Sequence, residues 1–544
     1  MYASLTRDPL LCLEQLNRIG IALSRERDTP RLLETILVAA KQLLNTDGGT
    51  LYRLEEDSQQ LRFEVLRNDS LQLYMGGASG EPIPFAPIPL YTPDGQPQTG
   101  MVVTYAVLHD QTVVIDDAYA DQDFDFSGTR RFDQQTGYRS RSFLTVPMKN
   151  HENRIIGVFQ LLNALDSETG LVRTFSPADR QLAESLASQA AIALTNHQLI
   201  DQLQCLFEAL IELINTAIDH KSPYTGAHCQ RVPILTMMIA EAACRSERGR
   251  LAAFCPTPEE LYELKIAGLL HDCGKITTPV HVVDKSTKLE TIFDRIALLD
   301  TRFEVLKRDA EIACLQQKLA AMEHNDPEAI PLLERQLRAR LTELDDHRAF
   351  LRACNIGGEF MPPEAQERVQ RIATERWRGP DGQEQNFLSD DEISNLCIPK
   401  GTLNPTERAV IEEHVALTMR MLNTLPWPQS LRQVPEFAGS HHEKLDGHGY
   451  HRGLTATELP TASRIICLAD VFEALTARDR PYKPGKPLSE VLTILGQMVQ
   501  DHQIDADLFD VFVREGIWLD YARQYLQPEQ LDAVDVSRIP GYNP

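Results

Sequence analysis

The chain has no cysteine pair in a CxxC arrangement, although its 544 residues include ten cysteines. Scattered cysteines are typical of buried side chains in a reducing compartment and argue against disulfides or a cysteine zinc site. The first twenty residues lack a basic segment followed by an apolar core, so we expect no signal peptide. No run of eighteen apolar residues occurs, which argues against a membrane span and makes the cytoplasm the expected location.

Positive charge is scarce. Lysine and arginine number 54 against 78 aspartates and glutamates, which gives a formal net charge of −24. This balance argues against DNA or a membrane as a partner, because both attract basic surfaces. It does not argue against a small anionic ligand, since bound metal ions reverse the local field. The length exceeds that of one hydrophobic core and predicts a multidomain protein.

The first two hundred residues combine helical and strand-like patterns. Apolar spacing predicts helices over residues 10–45, and segments with strand-like alternation follow at 49–54, 61–65, 111–115, 142–147 and 155–162. The alternation predicts an antiparallel sheet with one face exposed to water, and residues 150–153 are typical of a hairpin turn. We therefore expect an α+β domain, a sheet with flanking helices, over residues 10–200.

A long helix closes this region. Ser176 and Pro177 suit an N-cap and a first helical position, and apolar residues at helical spacing continue to about Ile218. A helix of this length between domains predicts a rigid, dimer-forming connector over residues 177–218. The alternative is a helix folded back on one domain.

Two adjacent pairs of metal-binding residue types stand out in the second half. His271-Asp272 begins the run HDCGK, and His441-His442 begins HHEKLDGHGYHRGL about 170 residues later. Such a set predicts two divalent ions about 3.5–4 Å apart that share a bridging carboxylate. Imidazole-rich sites with carboxylates favour Fe, Mn, Zn or Ni over Ca or Mg. Three single candidates complete a set of seven: His228, His414 and Asp470.

Five stretches around these residues carry a family resemblance. They are DHKSPYTGAHCQRV (219–232), LLHDCGKITTP (269–279), LNPTERAVIEEHV (403–415), HHEKLDGHGYHRGL (441–454) and ADVFEALTARDRPYK (469–483). In this order they resemble the HD superfamily of metal-dependent phosphohydrolases, and more narrowly its HD-GYP branch. The resemblance implies an all-α domain over residues 219–520 that is interrupted by an insertion at 289–400.

The resemblance also implies roles for individual residues. One ion would be held by His228, His271, Asp272 and Asp470, and a second by Asp272, His414, His441 and His442. Asp272 and Lys275 are the expected catalytic residues, with Lys275 either a stabilising charge or a general acid. Contact with the substrate is expected from Lys275, Tyr450, Arg480 and Lys483. Iron or manganese is the expected metal, with nickel or zinc as alternatives.

The implied substrate is cyclic di-GMP, hydrolysed to pGpG, with onward cleavage to GMP as an open alternative. One alternative is an HD phosphohydrolase that acts on another cyclic dinucleotide or nucleotide. Another is a catalytically silent receptor or interaction hub that only binds the dinucleotide. Some family members bind a third ion through a glutamate at the position of Tyr224, so this chain is expected to bind two.

One departure from the family falls in the motif that names it. Gly-Tyr-Pro reads Gly449-Tyr450-His451 in this chain. Histidine does not restrict the backbone as proline does, so the rigidity of the loop is in question. His448 and His451 are either loop residues near the mouth of the site or extra contacts to phosphate or metal.

The first two hundred residues resemble a GAF domain, on the basis of FDQQTGYRSRSFLTVPMKNHENRIIGVFQLLNA (132–164). Asn163, Phe175 and Asp179 match the dispersed signature of such domains, whereas Ala164 and Arg180 replace its lysine and glutamate. We therefore expect the Lys–Asp ion pair of the signature to be lost. The ligand is a cyclic nucleotide, another small molecule, or none.

The insertion has the spacing of a coiled coil. Its first seam comprises Leu289, Ile292, Ile296, Leu299, Phe303 and Leu306, and its second runs from Ile330 to Leu344. This predicts an antiparallel helical hairpin followed by a looser connection over 355–400. The hairpin either packs on its own domain or serves for dimerisation or docking to a partner such as a diguanylate cyclase. With the connector helix, it makes a homodimer the expected assembly.

Overall fold

The computed structural model describes residues 9–26, 28–55, 57–221, 226–326, 328–358, 360–477 and 485–542. The chain divides into two compact units, Met1–Phe207 and Glu208–Pro544. Within the described ranges, no helix combines the length and the apolar character that crossing a bilayer requires. The predicted fold class is confirmed, because an α+β unit with an antiparallel sheet precedes a helical unit.

The first unit is built on one sheet. Its strands are β1 (Thr46–Glu55), β2 (Gln60–Asn68), β3 (Leu73–Gly76), β4 (Ile88–Pro89), β5 (Val113–Ile115), β6 (Phe143–Lys149), β7 (Ile155–Leu165) and β8 (Val172–Arg173). They pair in the order β3-β2-β1-β7-β6-β5, with β4 beside β2 and β8 beside β7. The helices are α1 (Pro9–Arg25), α2 (Thr29–Leu44), α3 (Val102–Leu108), α4 (Ser127–Thr136) and α5 (Pro177–Lys221).

Both faces of this sheet are covered, so the prediction of one wet face is wrong. Leu51 and Phe159 pair across β1 and β7 and belong to a buried core with residues of α2 and α5. Tyr52 and Val158, the next pair along, lie in a second buried cluster with Val103 of α3. Successive side chains of a strand point to opposite faces, so α3 covers the face that was expected to be wet.

The Lys–Asp ion pair of the signature is absent, as expected, but Asp179 pairs with an arginine instead. Asp179 is buried and lies 2.6 Å from the guanidinium of Arg173, and it accepts hydrogen bonds from Ser176. Arg173, on β8, supplies the cation that Ala164 cannot. Asn163 is buried with φ +53°, and its Oδ1 accepts hydrogen bonds from the two backbone amides that precede β6.

The second unit is helical apart from one short hairpin, β9 (Arg376–Arg378) and β10 (Glu384–Asn386). Its helices before His441-His442 are α6 (Gly226–Cys244), α7 (Pro258–Leu270), α8 (Val280–Val283), α9 (Ile296–Glu323), α10 (Ala329–Asn355), α11 (Pro363–Ala373), α12 (Asp390–Leu396), α13 (Pro405–Leu422) and α14 (Val434–Gly439). Those after it are α15 (Thr461–Thr476), α16 (Leu488–Gln500), α17 (Ala506–Arg514) and α18 (Ile517–Tyr525).

The inserted segment has a core of its own. Helices α9 and α10 form an antiparallel hairpin, in which Lys318 pairs with Glu334 near the tip and Asp300 pairs with Arg352 near the base. The hairpin packs with α11, the β9–β10 ribbon and α12 around Phe303 and Phe387. Residues 355–400 are therefore more ordered than the looser connection that the sequence predicts.

The hairpin also begins later than the apolar spacing predicts. Its first helix starts at Ile296 rather than near Leu289, and Ile292 is 93% exposed. The carboxylate of Asp294 accepts a hydrogen bond from the backbone N of Ile296, and Glu290 accepts from the backbone N of Ser286. These local side-chain bonds compete with helix formation and hold the preceding turn.

A buried lysine ties the insertion to the helix that follows it. Lys285 Nζ lies 2.8 Å from both carboxylate oxygens of Glu407 and 3.1 Å from Asn395 Oδ1. Glu407 also completes the capping box of Asn404 at the start of α13. The start of α13 is thereby fixed both by its own sequence and by the insertion.

Candidate metal centre

Five segments that are far apart in sequence meet at one buried centre. They are the start of α6, the turn after α7, the middle of α13, the turn after α14 and the middle of α15. Capping boxes at Thr257 and Asn404 fix the starts of α7 and α13. The structure brings together all the ligands that the sequence predicts: His228, His271, Asp272, His414, His441, His442 and Asp470.

Asp272 lies in the middle of this centre. Its Oδ1 is 3.2 Å from His414 Nε2 and 3.8 Å from His441 Nε2. Its Oδ2 is 3.4 Å from His228 Nε2 and 3.3 Å from His271 Nε2. The two oxygens therefore face two different sets of imidazoles, which is the arrangement that a carboxylate bridging two ions needs.

Asp470 is the second carboxylate of the centre. Its Oδ1 lies 3.1 Å from His228 Nε2 and 3.9 Å from His271 Nε2, and its Oδ2 lies 3.7 Å from His442 Nδ1. Asp470 therefore lies mainly with His228 and His271, while its other oxygen faces the second set of ligands.

The outer nitrogens of four imidazoles are held by hydrogen bonds. Nδ1 contacts the carbonyl oxygen three residues earlier in His271 (2.7 Å), His414 (2.5 Å) and His441 (2.6 Å). In His228, Nδ1 contacts the carboxylate of Glu473. A neutral imidazole has one N–H, so a proton on Nδ1 leaves the lone pair of Nε2 directed at the centre.

Four buried polar atoms at the centre have no hydrogen-bond partner among the described residues: His271 Nε2, His414 Nε2, His441 Nε2 and Asp272 Oδ1. Buried polar groups are nearly always paired, so a cluster of unpaired ones requires an explanation. Imidazole nitrogens with a carboxylate oxygen form a donor set that suits divalent transition metals. The residues present therefore fit a metal centre.

The ligand atoms form two groups, and within each group they lie within 4.8 Å of one another. One group is Asp272, His414, His441 and His442, and the other is His228, His271 and Asp272. The residue common to both groups is Asp272. Two groups joined by one carboxylate match a pair of ions rather than a single ion.

Burial keeps two of the histidines in the neutral form. It holds the pKa of His441 well below the usual value, and His442 and His271 lower it further. Burial also lowers the pKa of His442 to about 3, although Asp470 acts in the opposite direction. The neutral imidazole is the form that binds a metal, so these two ligands are ready at neutral pH.

Lys275 places a positive charge beside the shared carboxylate. Its Nζ lies 2.6 Å from Asp272 Oδ2. Burial lowers the pKa of Lys275, but the carboxylates of Asp272 and Asp470 outweigh this effect and raise it. Burial likewise raises the pKa of Asp272, but Lys275 and His271 hold it well below its usual value. Lys275 is therefore charged and Asp272 ionised at neutral pH.

A buried carboxylate fastens the loop in which histidine stands in place of proline. Glu443 accepts hydrogen bonds from the backbone N of Arg452 at 2.7 Å, Leu454 at 2.9 Å and His451 at 3.3 Å. Proline at position 451 would have no N–H to donate. Three backbone hydrogen bonds to one carboxylate thus restrain this loop.

The remaining predicted residues divide into two sets. His448 and His451 are exposed on the loop, and the ring of Tyr450 lies 4.8 Å from that of His442. Tyr450 therefore lies beside one of the predicted ligands. Arg480, Lys483 and Tyr224 lie outside the described residues.

One functional residue, Glu473, was missed at the level of sequence. Glu473 is 1% exposed and lies 2.7 Å from Arg231 Nε on one side, while it contacts His228 Nδ1 on the other. It follows Asp470 by three residues on α15, so both carboxylates project from one face of the helix. That spacing is the signal in the sequence that could have identified it.

Comparison with known families agrees with this arrangement. Residues 28–194 match the GAF domain family, and residues 390–508 match the HD domain family. The chain joins a GAF domain to an HD domain. The HD match begins inside the insertion and includes four of the seven predicted ligands, His414, His441, His442 and Asp470. The fold brings the three earlier predicted ligands next to them.

Two relatives act on cyclic dinucleotides, according to their names. The chain is 41% identical over 169 residues to the 3'3'-cGAMP-specific phosphodiesterase 1 of Vibrio cholerae, a match covering 30% of this chain and 37% of that protein. It is 29% identical over 210 residues to a cyclic di-GMP phosphodiesterase of Thermotoga maritima, covering 34% of this chain and 56% of that protein. The chain thus spans 37% of the first relative and 56% of the second.

Similar solved structures include the GAF domain of an Acinetobacter phosphoenolpyruvate-protein phosphotransferase. That match has 16% sequence identity and a TM-score of 0.26, and it covers 36% of this chain and 98% of the other.

The contact between Glu473 and His228 leads to a prediction. Glu473→Gln should weaken Mn(II) binding about 10-fold, because outer partners of metal-binding histidines typically contribute at least that much to affinity. Calorimetric titration of metal-free protein would measure the effect. Glu490→Gln makes the same chemical change on the exposed side of α16 and should leave the affinity unchanged. Equal affinities in both variants would contradict a role for Glu473.

Proposed function

We propose that this chain is a metal-dependent phosphodiesterase that hydrolyses a cyclic dinucleotide. The observation that carries the proposal is the position of Asp272, whose two oxygens face separate sets of histidines. Hydrolysis of a phosphodiester by two ions needs such a shared carboxylate. The phosphodiesterase names of the two relatives support the same activity.

The ligands divide between two proposed ions. His228, His271 and Asp470 would hold one ion, His414, His441 and His442 would hold the other, and Asp272 would bind both. Such a pair of ions supplies an activated water and neutralises charge for in-line displacement at phosphorus. We propose iron or manganese, because the donor set is rich in imidazole. Two ions rather than three are proposed, since Tyr224 offers no carboxylate.

Lys275 is proposed to stabilise negative charge on the phosphate. Its Nζ lies beside Asp272, and the neighbouring carboxylates raise its pKa above the usual value. A group that holds its proton so firmly is better suited to electrostatic stabilisation than to proton donation. Tyr450, next to His442, is proposed to contact the substrate at the mouth, together with Arg480 and Lys483.

We propose cyclic di-GMP as the substrate. Hydrolysis of one of its two phosphodiester bonds adds water and gives linear pGpG, and cleavage of the second gives GMP. The resemblance to the HD-GYP branch and the Thermotoga relative support this choice. The second candidate is 3'3'-cGAMP, because the Vibrio relative that names it is 41% identical to this chain over 169 residues.

Turnover of purified protein tests this function. Protein loaded with Mn(II) or Fe(II) under anaerobic conditions should convert cyclic di-GMP to pGpG, detected by chromatography, and Asp272→Ala should abolish the conversion. A parallel assay with 3'3'-cGAMP and cyclic GMP separates the candidate substrates. If wild type and Asp272→Ala are equally inactive towards all three, the chain is a receptor rather than an enzyme.

We also propose that the chain forms a homodimer through α5. One face of this helix exposes a continuous row of leucines, in which Leu203, Leu206, Leu210 and Leu213 are each at least half exposed. Their alternating spacing of three and four is that of the a and d positions of a coiled coil. The flanking positions are uncharged, so a second copy in parallel register meets no like charges there: Gln202, Phe207, Ala209, Ile214 and Thr216.

Along the sequence, α5 connects the GAF domain to the first residue of the metal centre. We propose that the GAF domain regulates hydrolysis through this helix in response to a small ligand. Docking of a diguanylate cyclase to the α9–α10 hairpin stays a prediction.

The leucine row gives a direct prediction for assembly. The double change Leu206→Glu and Leu210→Glu should convert a dimer to a monomer, because each buried leucine contributes roughly 1.5–3 kcal/mol and charge is excluded from such a seam. Light scattering after size exclusion would measure the mass. Gln204→Glu, an exposed position outside the a and d series, should leave the dimer intact. A wild-type monomer at micromolar concentration would contradict the proposal.

A further inference from the structure

The last part of α5 has a second, buried face. Ile211, Asn215 and Ile218 are each at most 4% exposed and follow one another at spacings of four and three, which places them on one side of the helix. In the heptad that puts Leu203 and Leu210 at a, these residues occupy b and f. The buried face is thus opposite the leucine row, and the two faces can make contacts at the same time.

This face contacts the segment that carries three residues of the metal centre. Glu208 pairs with Lys265 Nζ on α7 at 3.1 Å. Two helical turns further along, Asn215 Nδ2 donates a hydrogen bond to the carbonyl oxygen of Leu269 at 3.1 Å. At the end of α5, Lys221 Nζ contacts the carbonyl oxygens of Lys275, at 3.4 Å, and Ile276.

One of these carbonyl groups, that of Leu269, is among those that the end of α7 leaves without an intrahelical partner. The last four carbonyls of a helix have no intrahelical hydrogen bond. At the end of α7, Gly268 O contacts His271 Nδ1, and Leu269 O accepts from Asn215. One of these partners is a metal ligand and the other belongs to α5, so α5 helps to fix the turn that presents His271 and Asp272.

Asn215 is energetically unfavourable at its buried position. It is 4% exposed, and its Oδ1 has no hydrogen-bond partner among the described residues. An apolar residue would pack here without leaving a buried acceptor unpaired, and an unpaired buried acceptor destabilises the fold. A buried asparagine between helices is known to specify their register at a cost in stability. The register specified here is that of α5 against the end of α7.

We propose that Asn215 and Lys221 are positioning residues of the metal centre. They hold the carbonyl groups of residues 269, 275 and 276, and so set the place of His271, Asp272 and Lys275 relative to the other ligands. The inference rests on the proposed function, because it assumes that these residues bind metal. It adds that α5, through its buried face, is itself a structural part of the site.

The same arrangement gives α5 a means of changing activity. A rotation or shift of the helix would move the donors of Asn215 and Lys221 against the turn after α7. The predicted ligands His414 and His441 are instead held by carbonyl oxygens of their own segments, those of Ile411 and Ala438. Movement of α5 would therefore displace one part of the ligand set against the rest.

Two substitutions test the positioning role independently. Asn215→Leu removes the donor at similar volume, and Lys221→Met removes the donor at a partly exposed position where folding is not at risk. In the full-length protein, both should increase amide hydrogen exchange over residues 269–278 and weaken Mn(II) binding about 10-fold. Lys221→Arg keeps a donor and should restore both properties. Glu212→Gln, on the exposed side of α5, should leave both unchanged.

The outcomes separate this inference from the proposed function. If both variants exchange hydrogen and bind Mn(II) as the wild type does, the positioning role is refuted, whatever the turnover. If they weaken Mn(II) binding while the wild type hydrolyses no cyclic dinucleotide, the positioning role stands and the proposed activity fails. Should Asn215→Leu not fold, Lys221→Met and its arginine rescue decide the question alone.

Discussion

The carboxylate of Asp272 is the constraint on which the second unit depends. It lies within 4 Å of four imidazoles from four helices or their ends, and the ammonium of Lys275 lies beside it. A buried carboxylate in that position keeps its charge only because cations or hydrogen-bond donors surround it. The two proposed ions would complete that compensation, and the fold of the unit can be understood as a means of bringing donors to this one residue.

The surrounding structure orients the ligands rather than merely collecting them. Backbone carbonyl oxygens contact Nδ1 of His271, His414 and His441, and the carboxylate of Glu473 contacts Nδ1 of His228. Each of these contacts leaves Nε2 directed inward. The contacts of α5 with the turn after α7 extend the same principle beyond the ligands, to the helix that also offers a leucine row for a second copy.

Much of this arrangement could be predicted from the sequence because the ligands lie in short motifs. His271-Asp272 and His441-His442 are adjacent pairs, and all seven predicted ligands meet at one centre. Three contacts could not be predicted: Glu473 with His228, Arg173 with Asp179, and Asn215 with Leu269. The spacing from Asp470 marks Glu473 as a carboxylate on the same helix face, but the partner in each of the three contacts depends on tertiary packing. The start of α9 was predicted too early for a different reason. Apolar spacing does not reveal that Asp294 and Glu290 accept local backbone hydrogen bonds and hold a turn before the helix.

Asp272 is proposed to bridge two ions. Anomalous diffraction from crystals of the Mn(II)-loaded protein tests this bridge most directly. Two anomalous peaks about 3.5–4 Å apart are expected. Each should lie beside one oxygen of Asp272, the first with His228 and His271 and the second with His414 and His441. A single peak, or peaks that leave either oxygen of Asp272 without a metal, would contradict the account.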